Sequence, residues 1–227
     1  MKKEIKLITI DGPASSGKTT TARLLLKKLK EKKKNFVLLE SGSFYRFATY
    51  LLLKKDKLNS FLENPSEEMS FFKEEFKNVK IELRDEGTFI FWEGRLIREE
   101  LRSKEVEDSV SLVSAVKELR EFLNEKMREL VKGKSVIAEG RDMGSVVFPE
   151  ADLKVYLTAD EKVRAERRFR EKKDVELKEV EENIKKRDEL DSRRKVAPLT
   201  IPEGAVVIDT GRLSPEEVVQ KILSIIN

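Results

Sequence analysis

The chain has 227 residues, 40% of them charged, and Lys plus Arg (47) exceed Asp plus Glu (43) by 4. It contains neither cysteine nor histidine, which excludes disulfides, thiolate metal sites, zinc chemistry and proton transfer by imidazole. No apolar run approaches the roughly 20 residues of a membrane-spanning helix, and the start lacks signal-peptide architecture, so a cytoplasmic protein with one main core is expected.

Residues 5–10 are apolar and β-branched and read as a buried strand. Gly12-Pro13-Ala14-Ser15-Ser16-Gly17-Lys18-Thr19 follows, with Thr20 behind it: Gly, four residues, Gly-Lys-Thr. Next, Ala22, Leu25, Leu26 and Leu29 share one helical face over 18–30. In a strand–loop–helix context these glycines let backbone N–H groups turn inward around phosphate oxygens. The helix N-terminus adds partial positive charge, Lys18 adds a full charge on what is expected to be a solvated loop, and the Thr19 hydroxyl can hold Mg²⁺. A nucleoside triphosphate site is expected. The lysines at 27, 28, 30, 32, 33 and 34 fit a solvated helix end better than a nucleic-acid patch, because no aromatic residues interleave with them.

A second strand at 36–40 and a helix at 43–53 continue the alternation. The rhythm breaks at about 61–105, expected to be an insert outside the main core. There Pro65-Ser66-Glu67-Glu68 reads as a helix start, and 79–83 and 88–92 alternate like a small antiparallel meander with turns at Asp85-Glu86-Gly87 and Glu93-Gly94. Beyond it lie strands at 135–138, 153–158 and 205–208 and helices at 106–131, 161–172, 177–193 and 215–226. The expected fold class is α/β: a three-layer α/β/α sandwich around a five-stranded parallel sheet, with ligands beyond the carboxyl ends of the strands.

Two strand ends carry glycine, arginine and small polar groups towards that edge: Glu40-Ser41-Gly42-Ser43-Phe44-Tyr45-Arg46 and Glu139-Gly140-Arg141-Asp142-Met143-Gly144. In the 177–193 helix, Leu177, Val180 and Ile184 form an apolar stripe whose spacing continues onto Arg187, Asp191 and Arg194, within about 60° of one another. Inward charges are costly unless paired or functional. A structural ion network is one reading; their aim at the expected phosphates favours a functional one. Arg164, Arg167, Arg168 and Arg170 read equally as a lid at about 165–180 or as a solvated helix.

Together with Val146-Val147-Phe148-Pro149, Arg187-Asp188, Asp191-Ser192-Arg193-Arg194 and Val196-Ala197-Pro198-Leu199, these blocks resemble bacterial cytidylate kinase in order and spacing over essentially the whole chain. The resemblance implies a P-loop nucleoside monophosphate kinase, with the insert as its monophosphate-binding region. ATP would lie on Gly12, Pro13, Ala14, Ser15, Ser16, Gly17, Lys18, Thr19 and Thr20, with Arg168 from the lid. CMP would be met by Ser41, Tyr45, Arg46 and Arg141 at its phosphate, by Ser111, Arg120 and Asp142 at the cytosine edge, and by Asp191 at the sugar. Lys18, Arg141, Arg187 and Arg194 would act on the transferring group, with Mg²⁺ on Thr19 and Glu139 near it. Glu40 stands where the family usually has Asp, and Leu96-Ile97-Arg98 departs from its pattern after Gly94, while Arg102 still matches.

The implied reaction is ATP plus CMP, or dCMP, to ADP plus CDP or dCDP, by a monomer with no nucleic-acid or membrane partner. A phosphate oxygen is the nucleophile, so no general base is needed. The nearest rival is a related kinase acting on UMP, shikimate or dephospho-coenzyme A. A GTP-dependent switch would need Asn-Lys-x-Asp, which the chain lacks.

Overall fold

The computed structural model describes residues 4–171, 176–192 and 197–226. Strand β1 (Leu7–Asp11) turns through the glycine loop into helix α1 (Lys18–Glu31), and β2 (Phe36–Glu40) runs straight into α2 (Ser41–Lys54). Helices α3 (Leu58–Glu63) and α4 (Pro65–Phe76) precede three strands, β3 (Val79–Arg84), β4 (Gly87–Trp92) and β5 (Arg95–Ile97). Helices α5 (Lys104–Val113) and α6 (Lys117–Val131) lead to β6 (Ser135–Gly140), a wide π turn at Met143–Val147 and β7 (Leu153–Thr158). Then come α7 (Glu161–Glu171), α8 (Leu177–Ser192), β8 (Val206–Asp209) and α9 (Pro215–Ile226). Among the described residues no helix is long and apolar enough to cross a membrane.

The main sheet is parallel and five-stranded, in the order β2-β6-β1-β7-β8. Strands β2 and β6 are buried on both faces because helices cover both, whereas β7 alternates, with Leu153, Val155 and Leu157 buried and Lys154, Tyr156 and Thr158 part-exposed. On one side Ile8, Ile10 and Val155 pack with Ala22, Leu25 and Leu29 of α1 and Val218 and Ile222 of α9. On the other, Leu39, Val136 and Ala138 pack with Phe44 and Phe47 of α2 and Leu119, Leu123 and Met127 of α6. Removing any one of these side chains from water contributes about 1.5–3 kcal/mol for Leu, Val, Ile or Phe. The three layers hold the carboxyl ends of β1, β2 and β6 rigidly side by side, and every functional loop leaves from that edge.

Three expectations need correction. The 106–131 helix is two helices. Helix α5 ends at Val113, Val116 is extended (φ −70°, ψ 120°), and the Arg120 guanidinium donates 2.9 Å to the freed Ser114 carbonyl. The insert is not outside the core. Ile90, Trp92 and Ile97 belong to the same buried cluster as α2, with the Trp92 ring edge-on to Phe47 at 6.4 Å. Phe122 of α6 likewise meets Phe76 of α4 edge-on at 5.1 Å. Leu177 is exposed, and the inward stripe of α8 begins at Val180.

The meander, a three-stranded sheet of β3, β4 and β5, is also latched to β2 by polar bonds. Glu40 accepts Thr88 N–H at 3.1 Å and Arg23 at 2.9 Å, while Glu40 N–H donates to Thr88 Oγ1 at 2.8 Å. Gly87 has φ +144°, and a Cβ there would stand 2.7 Å from Glu40 Oε2. The extra methylene of glutamate, where the resemblance expects aspartate, thus brings its carboxylate against the β3–β4 turn.

Candidate active site

The glycine loop leaves β1 with Gly12 at φ +150°, where a Cβ would lie 2.1 Å from the Leu157 carbonyl oxygen; only glycine fits. The loop is held from several sides. Thr210 Oγ1 donates to Ser16 O at 3.1 Å. Arg164 donates to Ala14 O at 3.1 Å, and Ala14 N–H donates to Asp188 Oδ1 at 3.3 Å. Arg164 and Asp188 also pair with each other, so α7 and α8 grip both ends of one loop residue. The loop then delivers the first turn of α1, whose orphan N–H groups point out of the helix N-terminus.

Lys18 is not on a solvated loop. It is buried, 7% exposed, and its ammonium donates to Pro13 O at 2.7 Å. Burial, with help from Arg141, drives its pKa well below the ordinary lysine value, while Glu139, Asp11 and Asp191 oppose the shift. The reason is tertiary: β6 brings Glu139 and Arg141 over the first turn of α1. Thr19 Oγ1 donates to Glu139 Oε1 at 3.1 Å, and burial raises the Glu139 pKa against the pull of Lys18. Asp11, at the end of β1, accepts Met143 N–H at 2.8 Å and Gly144 N–H at 2.7 Å, fixing the block that follows β6.

Beside this loop lies a cavity bordered by Ser41, Tyr45, Arg46, Ser111, Arg120, Arg141, Asp142 and Asp191, all the residues expected to meet CMP. Arg120 and Asp142 are ion-paired at its base with side chains 1% and 2% exposed, and the guanidinium lies 5.1 Å from the Tyr45 ring. Arg120 Nε is buried without a partner among the described residues. Higher up, Arg141 Nε donates to Asp191 Oδ2 at 2.8 Å. Arg46 donates to Leu101 O at 3.1 Å, and burial together with Arg187 holds its pKa down at about 10.

A second cavity is bordered by Ala14, Ser15, Ser16, Gly17, Lys18, Thr19, Thr20 and Arg168. Gly12 and Pro13 shape the loop beneath it. Arg46, Glu139, Arg141 and Arg187 border both cavities, so three arginines stand where the two meet. Arg194, also expected here, lies outside the described residues, as do Lys172–Val175 in numbers 172–175 of the expected lid. Asp191 accepts from Arg141, and Arg187 donates to Glu107 O at 3.0 Å.

The two readings of the 164–170 arginines divide by residue. Arg164 is buried, Arg167 donates to Thr210 Oγ1 at 3.0 Å, and Arg168 pairs with Glu107 at 2.6 Å. Arg170 alone of the four is on the solvated face, its side chain 78% exposed. Sequence reasoning missed Glu107 and the loop grip of Asp188. The signal for Glu107 is its position one turn before Ser111 on the same face of α5.

A family model described as cytidylate kinase matches residues 8–227. A cytidylate kinase of Caldanaerobacter subterraneus subsp. tengcongensis is 41% identical over 219 residues, covering 95% of this chain and 92% of its own. One of Carboxydothermus hydrogenoformans is 41% identical over 223 residues, covering 96% of each. One of Bacillus cereus (strain ATCC 10987) is 40% identical over 226 residues, covering 97% of this chain and 95% of its own.

Proposed function

The chain belongs to the cytidylate kinase family, an ATP-dependent nucleoside monophosphate kinase, and from that premise we propose that it moves the γ-phosphoryl group of ATP onto CMP and dCMP, giving ADP with CDP or dCDP. The observation that carries this reading is the row of Arg46, Arg141 and Arg187 shared by the two cavities. Phosphoryl transfer asks for alignment and charge stabilisation rather than proton abstraction, which suits a chain without histidine. The acceptor phosphate oxygen is the nucleophile. Arg46 and Arg141 neutralise its phosphate, so that it can approach a second anion. Lys18 and the loop N–H groups hold the donor's β- and γ-phosphates. Arg187, with Arg194, meets charge on the group in flight, which is where an electrostatic contact gains most.

The half-buried Thr19 hydroxyl and the buried Glu139 carboxylate, 3.1 Å apart, are hard oxygen donors that fit Mg²⁺. No group of three or more acidic side chains able to hold a metal ion is present among the described residues, so these two would share the ion with phosphate oxygens and water. Such an ion would neutralise the β- and γ-oxygens of the donor.

Arg120 and Asp142, with Ser111, present donors and an acceptor at the base of the acceptor cavity, where a cytosine edge has both to offer. Asp191 faces the sugar side. Residues 61–105 serve as the monophosphate-binding region and 165–180 as the lid. The protein works on small nucleotides as a cytoplasmic monomer, without nucleic acid or a membrane. Steady-state turnover of CMP, dCMP, UMP, AMP and shikimate under ATP and Mg²⁺ tests this. A site with buried polar groups rejects a mispaired base by up to about 10⁴. Equal kcat/KM for AMP and CMP would overturn the assignment.

A further inference from the structure

Glu107 stands on α5, and its neighbours come from three other elements. Its carboxylate pairs with Arg168 of α7 at 2.6 Å and faces Arg46 of α2 at 3.8 Å. Its backbone carbonyl accepts Arg187 of α8 at 3.0 Å. The side chain is 17% exposed, so the contacts are poorly screened. These arginines repel one another: Arg187, Arg168 and Arg102 each disfavour the charge on Arg46, and Glu107 opposes them. Arg187 is likewise disfavoured by Arg168 and Arg141 and supported by Glu107.

We propose that Glu107 is an internal counter-ion that gathers the phosphoryl-binding arginines before substrate arrives and yields them to phosphate during turnover. The inference rests on the phosphoryl-transfer reading above. Without a nearby anion, guanidinium groups delivered by three separate helices would be driven apart, and each turnover would begin by collecting them. A carboxylate carries less charge than a nucleotide's phosphates, so it can hold the cluster and still lose the competition. Its charge also opposes every incoming anion, and that opposition weakens binding and hastens product release. Glu107 touches no reacting atom in this scheme; it is a positioning residue that acts through Arg46, Arg168 and Arg187.

The test is Glu107→Gln, which keeps an acceptor of the same size and removes the charge, beside Glu107→Asp, which keeps the charge. Inorganic tripolyphosphate and ADP are titrated into each by calorimetry at low and high salt, and kcat and KM are measured for ATP and CMP. The Gln variant should bind tripolyphosphate about fivefold or more tightly than wild type at low salt, with the gain shrinking at high salt. KM should fall for both substrates while kcat falls as well, through slower release and a less ordered cluster. Glu107→Asp should lie between Gln and wild type. A Gln variant with unchanged or weaker tripolyphosphate binding overturns the proposal, as does an Asp variant no closer to wild type than Gln. If Gln does not fold, Glu107→Ala takes its place, and an Ala variant with unchanged or weaker tripolyphosphate binding overturns the proposal equally. Wild-type protein that fails to turn over CMP would sink the reaction assigned above, whereas active wild type with indifferent Glu107 variants sinks this inference alone.

Discussion

Asp142→Ala should cost the protein far more stability than Asp142→Asn, and the structure sets the size. Arg120 and Asp142 have side chains 1% and 2% exposed, so removing the carboxylate leaves a guanidinium out of reach of water. Breaking a pair this buried costs about 3–5 kcal/mol, because the remaining charge is uncompensated. Part of the loss is recovered by the bond Arg120 keeps to Ser114 O and by the Tyr45 ring, which places the expectation near the low end, about 3 kcal/mol. For a chain of this length that is a fall in Tm of roughly 6–12 °C. Asn keeps one acceptor for the guanidinium and should lose about half as much. Thermal unfolding followed by circular dichroism reads the stability, and KM for CMP on the folded fraction reads recognition. A Tm within 2 °C of wild type for Asp142→Ala, on the order of the noise for a surface change, would show that the pair does not carry the buried charge assigned to it.

Lys18→Ala should lower kcat by roughly 10³-fold, as expected for losing a donor aimed at developing charge. Because burial depresses the Lys18 pKa, tripolyphosphate binding should take up a proton, seen as buffer-dependent binding heats that vanish in the alanine variant; equal heats in all buffers for wild type would refute it. Asp191→Ala should raise KM for CMP more than for dCMP and also lower kcat, since it frees Arg141; equal effects on the two nucleotides would remove Asp191 from the sugar. Asp11→Asn should destabilise the fold by about 1–3 kcal/mol, because two N–H groups then meet one oxygen and one amide NH₂. Burial holds Asp11 at about 6 against 3.8 unfolded, so the folded carboxyl binds a proton more readily and its burial penalty, full above pH 6, is relieved as pH falls towards 4. Urea titrations at pH 4.5 and 7.5 should show that wild type has this relief and the asparagine variant lacks it; identical pH dependence would refute the assignment.

Local signals carried most of the fold. Strands 36–40 and 153–158 and helix 215–226 have the bounds their patterns give, because period and chemistry agree within a few residues. The break at Ser114–Val116 was hidden because helical periodicity runs through it; what ends the helix is a side chain six residues on, reaching back to a carbonyl. The packing of the meander into the core was hidden for the same kind of reason. Its alternation says that one face is apolar, not which surface that face meets. At the site, the glycine loop was legible from spacing alone, and the acceptor residues from the resemblance. The burial of Lys18 was not, since it depends on Glu139 and Arg141, which β6 delivers beside the end of β1. Glu107 was least legible of all: it sits among other acidic residues near a helix start, and the arginines that define it are 61 and 80 residues away.

The ion pairs of the site form a gradient that bears on what each can do. At the base, Arg120 and Asp142 are closed to water, and separating them carries the full penalty of an orphaned buried charge. Such a pair cannot trade partners at each turnover, so it suits a fixed pattern read by a base. Arg141 and Asp191 come next, 25% and 6% exposed, with the arginine edge open to the cavity. Arg168 and Glu107 are 24% and 17% exposed and stand nearest the donor side. The arginine goes from 1% exposed at the base to 25% and 24% in the outer pairs, and the carboxylate from 2% to 6% and 17%, so the outer pairs cost less to part than the closed one. An arginine there can leave a carboxylate for a phosphate and return within the lifetime of one turnover. The same chemical pair therefore serves two purposes, and depth decides between them: permanent where recognition must not drift, exchangeable where anions must come and go.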